Sequence, residues 1–485
     1  MSAGAAEIGA VDQARSTARP FRALASISTG RKGLILGHAI GMSAAFYLAA
    51  DRVLKLSANL PFTAVIEIPI RLVAIWLLLD LFGRERRTRF GLWDYSYMSF
   101  VALYGLGVIY ADVMMWRQTG FLNYVDWVLG TLSPFLFFVV VREACLRRGF
   151  RADVMIWWIL GTLVFCALLG LCQALDLFGL RIWSAFVWNW QFHDALLQGP
   201  SAYYQARGTT AHANAHALYM VLGFCVAPVL GHWPKYRKYI VPLMVIFIIG
   251  AYSTYSRMGM LAIFTCITGA GLFLLVRRSV RAGFAVLGTV GALATIFVVL
   301  VFSMDVQRYK VPLQGEGVVR GSRANIISYD LRWKASMAAI DVGSKYPIFG
   351  VAAVGGAVNE LRVISANAYS FDIVLNSLLP YTFATHGIVG LLFAFGLFLA
   401  LFRTAVLETK ILFLDASLFM LGVCLLTGGV SENTLFLPQQ MTIVNCIVGL
   451  MFGYGWVRMA KGMGLADVGL AKWKAPIIKK RVKKD

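Results

Sequence analysis

The chain has 485 residues, 59% of them hydrophobic and 14% charged, with a formal net charge of +21 and a mean hydropathy of +0.71. An ordinary soluble domain is excluded, because apolar stretches of about 20 residues recur, each long enough to cross a hydrocarbon core. In such a chain the basic excess points to membrane topology and anionic headgroups, so no nucleic acid partner is expected.

Residues 1–32, rich in Ala, Ser and Arg, read as a cytoplasmic N-terminal tail without the apolar core of a cleavable signal. Apolar runs follow at 33–50, 60–82, 93–113, 122–141, 154–176, 215–231, 239–254, 258–276, 282–303, 386–402, 411–430 and 437–457. Only helices or closed barrels satisfy the backbone in lipid, and runs of this length mean helices. The expected fold is all-α: a polytopic membrane bundle of about 12 transmembrane helices with a large, partly helical periplasmic loop. Helices one to nine fall within 33–303, the loop spans 304–370, helices ten to twelve fall within 371–457, and 458–485 forms a basic cytoplasmic tail.

Charge sorts the connections. Alternate segments, beginning with the N-terminal tail and ending with the C-terminal one, hold 30 of the 45 Lys and Arg residues. The intervening segments hold 14, eight of them in loop 304–370, and Arg71 lies inside a run. The positive-inside rule therefore places both termini in the cytoplasm. The sequence then predicts that 177–214, the turn around Arg257 and loop 304–370 face outside.

Seven cysteines, at 145, 166, 172, 225, 266, 424 and 446, sit in or beside apolar runs with no CxxC spacing. They read as small buried hydrophobes, with no disulfide framework, no metal site and no cofactor expected.

Loop 304–370 is the longest polar interval, and the apolar periodicity from Trp333 to Ile340 argues that part of it is helical. Arg207 precedes Gly-Thr-Thr-Ala-His-Ala-Asn-Ala-His, and Arg257 follows Tyr-Ser-Thr-Tyr-Ser between two closely spaced runs. An arginine at membrane depth faces a cavity or snorkels to the headgroups. Together with Arg332 on the loop, these two favour an anion site, and guanidinium forks match phosphate oxygens. A lipid-linked diphosphate fits such a site, because preorganised cations stabilise its charge as the sugar–phosphate bond breaks. A sugar hydroxyl as acceptor needs a general base. Candidates are His193, Asp194, His212, His216, Asp330, Asp341, Glu360 and Asp372, with His212 and Asp372 preferred. His212 and His216, spaced i, i+4, share a helix face, and helix-start packing or hydrogen bonding, ahead of metal binding, is the expected role of such a pair. Glu67 and Arg71, with the same spacing, read as a buried structural pair.

The ordered set of motifs resembles the O-antigen ligase and O-antigen or exopolysaccharide polymerase superfamily of bacterial inner-membrane glycosyltransferases. The pieces are Arg207-Gly208 with Asn214, Ser256-Arg257 with Gly259, Arg332-Trp333, Tyr346-Pro347-Ile348-Phe349-Gly350, Asn367-Ala368-Tyr369 and Gly387-Ile388-Val389-Gly390. The resemblance implies metal-independent glycosyl transfer from an undecaprenyl-diphosphate-linked glycan, with Arg207 and Arg257 gripping the diphosphate. It also implies that Arg332, Asn214, Asn367, Tyr369 and Ser256 bind substrate. Ligases of this family carry a His immediately before the loop Asn, where this chain has Ala366, so the resemblance favours a polymerase over a ligase. The expected partners are the lipid-linked glycan donor, a glycan acceptor, membrane lipids and a chain-length regulator. A transporter or flippase of lipid-linked sugars is the alternative of another class, and it would show broken helices.

Overall fold

In a computed structural model the described residues are 33–46, 136–145, 149–180, 208–210, 213–254, 256–277, 339–350, 378–407, 412–429 and 438–462, with isolated positions between them. Among these the regular structure is helical and no strand occurs. The helices are α1 (Gly33–Phe46), α2 (136–145), α3 (Ala152–Ala174), α4 (Ala213–Val226), α5 (Ile240–Ser253), α6 (Arg257–Arg277), α7 (Leu378–Leu407), α8 (Leu412–Gly429) and α9 (Pro438–Gly462). Two 3₁₀ segments, Ala227–His232 and Pro234–Tyr239, join α4 to α5.

Three stretches among the described residues are long and apolar enough to cross a membrane: Ala152–Ala174, Asn214–His232 and Pro234–Ser253. Their outward faces suit lipid. Val241, Val245 and Ile249 lie four apart on α5, and all three are exposed, as are Phe165 and Leu168 on α3. Such stripes would be a liability in water, and they are the normal surface of a span in hydrocarbon.

Helix α4 is the exception. Of its span 89% is buried, against 28% for the span ending in α5. It packs against α3, α5, α6, α8 and α9 and is the axis of the bundle. Its small and apolar residues, Ala217, Met220, Val221, Phe224 and Cys225, are all buried. Small residues permit the close approach that helices use to associate where no hydrophobic force separates them from solvent.

The two ends of the bundle differ. At one end the Arg151 guanidinium donates to Asp153 at 2.7 and 2.8 Å, Tyr236 Oη donates to the same carboxylate at 3.3 Å, and Lys235 lies 3.6 Å away. The Asp153 hydrogen bond raises the Arg151 pKa above its ordinary value. There too Arg151 N–H donates to Gly33 C=O at 3.4 Å. This ties α1, α3 and the Pro234–Tyr239 segment together with cations on the surface. At the other end the connections are held by uncharged hydroxyl and amide groups.

Two elements depart from the sequence expectation. The connection expected at 142–153 begins later, because α2 continues through Cys145 and carries Arg142 almost fully buried. Burial is tolerated because Arg142 Nη1 donates to the Glu143 carboxylate beside it. The run expected from 386 is preceded by a further helical segment from Leu378, in which Thr382 and His386 are buried polar residues that interrupt the apolar pattern. That helix, α7, is broken at Gly387, whose φ of 60° and ψ of −154° leave the helical region.

Candidate functional site

The other end of the bundle gathers four helix termini: the end of α3, the start of α4, the end of α5 and the start of α6. The turn between α5 and α6 is built by its own hydroxyls. Ser253 Oγ donates to Gly250 C=O at 2.7 Å and Thr254 Oγ1 to Ala251 C=O at 2.6 Å, satisfying carbonyls that a helix end would leave open. Thr254 Oγ1 also accepts from Ser256 N–H at 3.0 Å. Ser256 then caps α6, since its Oγ accepts from Gly259 N–H at 3.2 Å. This explains why Tyr-Ser-Thr-Tyr-Ser can reverse the chain in so few residues: side chains replace the water that a membrane does not supply.

Ser256 Oγ–H in turn donates to Asn214 Oδ1 at 2.8 Å. That bond joins the first turn of α4 to the cap of α6, and so brings together two sequence motifs 42 residues apart. Helix α6 starts at Arg257, immediately after this cap. Gly259, in the same turn, lies against Ala217 of α4, where a side chain would collide.

Ala206 and Gly208 are fastened to the same junction from two sides. Ala206 N–H donates to Ser253 C=O at 3.2 Å, at the end of α5. On the α3 side, Gly208 N–H donates to Gln173 Oε1 at 2.9 Å while Gln173 Nε2 donates to Gly208 C=O at 3.1 Å. One fully buried side-chain amide thus satisfies both backbone groups of Gly208. Gly208 has a φ of +53°, which an L side chain adopts at a cost. Thr209 Oγ1 and Cys166 Sγ are 3.4 Å apart beneath it.

His216 fills the space under this turn. It is fully buried, lies against Gly170 of α3 and Gly208, and neither ring nitrogen has a hydrogen-bond partner among the described residues. Of the two expected roles, helix-start packing or hydrogen bonding, the described contacts of His216 are those of packing. It is enclosed, so it does not face a substrate as a base would.

A second pair of motifs meets at the α7 break. A short helix at 339–345 lies against α7, with Gly343 beside the Phe383 ring. It leads into the Tyr346–Gly350 turn, in which Gly350 N–H donates to Tyr346 C=O at 2.9 Å. At Gly387 the helix loses its own hydrogen-bonding register. Ile388 N–H then donates to Pro347 C=O at 2.8 Å and Val389 N–H to Ile348 C=O at 3.2 Å. The Tyr-Pro-Ile-Phe-Gly and Gly-Ile-Val-Gly motifs therefore pair through their backbones.

Of the site residues expected from sequence, the structure brings Asn214 and Ser256 into contact and sets the backbone of Arg257 beside them. Arg207, His212, Arg332, Asn367, Tyr369 and Asp372 lie outside the described residues, as do Glu67 and Arg71. Gln173 and Thr254 were not anticipated. A lone amide in the last turn of an apolar span was the available signal for Gln173, since polar side chains inside membranes are used to join helices.

Compared with known proteins, the chain matches no protein-family model and no curated protein.

Proposed function

We propose that this protein is a membrane glycosyltransferase that polymerises lipid-diphosphate-linked oligosaccharide repeat units at the periplasmic face. The growing glycan passes from undecaprenyl diphosphate to the next lipid-linked unit. The observation that carries the reading is the Asn214–Ser256 hydrogen bond at 2.8 Å. Together with the Gln173 clasp on Gly208 it gathers the Arg207 and Arg257 motifs at one end of the bundle. Two guanidinium groups anchored there would grip a diphosphate and stabilise it as leaving group. The start of α6 adds the positive end of a helix dipole beside them. The pairing of the Tyr346–Gly350 turn with the α7 break supports the same reading, because it joins two further motifs of the resemblance. Ligation of a finished glycan onto a lipid A core remains the alternative within this class.

The break at Gly387 favours a second reading, transport of a lipid-linked sugar, since discontinuous helices line transporter sites. Against it, the two N–H groups released at Ile388 and Val389 donate to the chain's own carbonyls instead of facing a ligand.

The test is a reconstitution. Purified protein in detergent receives lipid-diphosphate-linked repeat units as its sole substrate, and products are resolved by length for the wild type and Arg257→Ala. A ladder in the wild type that vanishes in the variant supports polymerisation with Arg257 in the site. Transfer only after addition of a lipid A core would make the protein a ligase. Substrate bound without any transfer in either assay would favour transport.

A further inference from the structure

Three cysteines that share no sequence motif meet in the bundle core. Cys225 of α4, Cys266 of α6 and Cys424 of α8 place their Sγ atoms within 4.8 Å of one another, with Cys225 and Cys266 at 3.6 Å. Each is at most 1% exposed. We infer that these three sulfurs form a site for one soft monovalent cation, Cu(I), held between α4, α6 and α8.

The spacing suits a trigonal ion: metal–sulfur bonds of about 2.3 Å put three sulfurs roughly 4 Å apart. A disulfide would instead require about 2.05 Å and would use only two of the three. The donor set is sulfur alone. No His or carboxylate joins the group among the described residues. Of the nearby carbonyls, Cys225 C=O accepts from Ser417 Oγ at 2.6 Å and Met420 C=O accepts from Cys266 Sγ at 3.4 Å. Zinc would need a fourth ligand that this group does not supply, whereas soft sulfur donors select Cu(I).

Charge selects the same ion. An apolar interior penalises any net charge heavily. Cu(I) with one thiolate and two thiols is neutral, and its formation from three thiols releases one proton to bulk water. No electron is transferred. A divalent ion would require two thiolates for neutrality. The site would brace α6, the helix that Arg257 opens, against its two neighbours, and it is independent of the glycan reading.

Because the site is enclosed, loading belongs to folding in the cell. The full chain would be expressed in copper-supplemented medium, purified in detergent with oxygen excluded, and analysed for metal content and by X-ray absorption. The expected result is one copper per chain with a sulfur-only shell. Cys266→Ala and Cys424→Ala should each lower copper at least tenfold while eluting as the wild type does. Cys446→Ala, buried but outside the group, should keep it. Should the alanine variants misfold, Cys424→Ser preserves the volume and should lose copper in the same way. Wild-type protein emerging without copper overturns the site and leaves three thiols packed as small hydrophobes. Zinc in place of copper, or equal loss in Cys446→Ala, overturns it as well.

Discussion

Ser256 Oγ accepts from Gly259 N–H and donates to Asn214 Oδ1, so one hydroxyl both caps α6 and fastens it to α4. Removing it should cost more than removing its partner. Ser256→Ala is expected to lower stability by about 1–2 kcal/mol, and Asn214→Ala, which leaves the cap intact, by about 1 kcal/mol. Unfolding of the full chain in detergent measures both, and equal losses would mean that the cap contributes nothing. Gln173 carries a larger share, because Gly208 N–H and C=O both depend on it. Gln173→Leu strands two backbone groups in the interior and should cost about 2–4 kcal/mol. Its effect on polymer yield should exceed what that stability loss explains, since the turn it releases precedes Asn214 and follows Arg207. A ladder unchanged in a stably folded Gln173→Leu protein would separate this turn from the reaction.

At the scale of elements, the docking of the 346–350 turn depends on α7 breaking where it does. Gly387 combines a φ of 60° with a ψ of −154°, a region that only glycine populates readily, and a side chain there would strike the Ile348 carbonyl. Gly387→Ala should therefore cost about 1–3 kcal/mol and undock the turn at 346–350 from α7. Limited proteolysis checks this: cleavage within 339–350 should rise in the variant, and an unchanged pattern would mean that the turn is held by something other than these two backbone bonds. The helices themselves were largely legible. The structure places α3, α5, α6, α8 and α9 within a few residues of the apolar runs that announced them. Breaks are harder to read, because Gly387 is flanked by apolar residues on the C-terminal side and the pattern resumes without a gap.

At the scale of the whole molecule, one end of the described bundle is braced by the Arg151–Asp153 pair, and at the other the turns are closed by hydroxyls and amides. Arg151, Lys235, Arg237 and Lys238 lie at the end that charge counting assigns to the cytoplasm, as do the start of α3 and the 3₁₀ segment before α5. The Gln173, Ser253 and Ser256 cluster lies at the other. Reporter fusions or impermeant labelling at residues within 1–32 and 458–485 should find both termini on the cytoplasmic side. A periplasmic signal from one terminus alone would require an odd number of spans, and periplasmic signals from both would move the proposed site to the wrong face.

The sequence by itself determined that the chain is helical and suited to a membrane, because length and hydropathy act locally and each span satisfies its own backbone. It also singled out the Arg207 and Ser256 neighbourhoods, where glycine and hydroxyl residues break an apolar pattern, while the Gly387 motif stood out only through the family resemblance. Only the tertiary structure decided which of those neighbourhoods touch. Gln173 on Gly208, Asn214 on Ser256, Pro347 on Ile388 and three cysteines on three helices are contacts between distant segments. Interhelical packing around α4 sets them, and no local periodicity encodes which helix lies beside which.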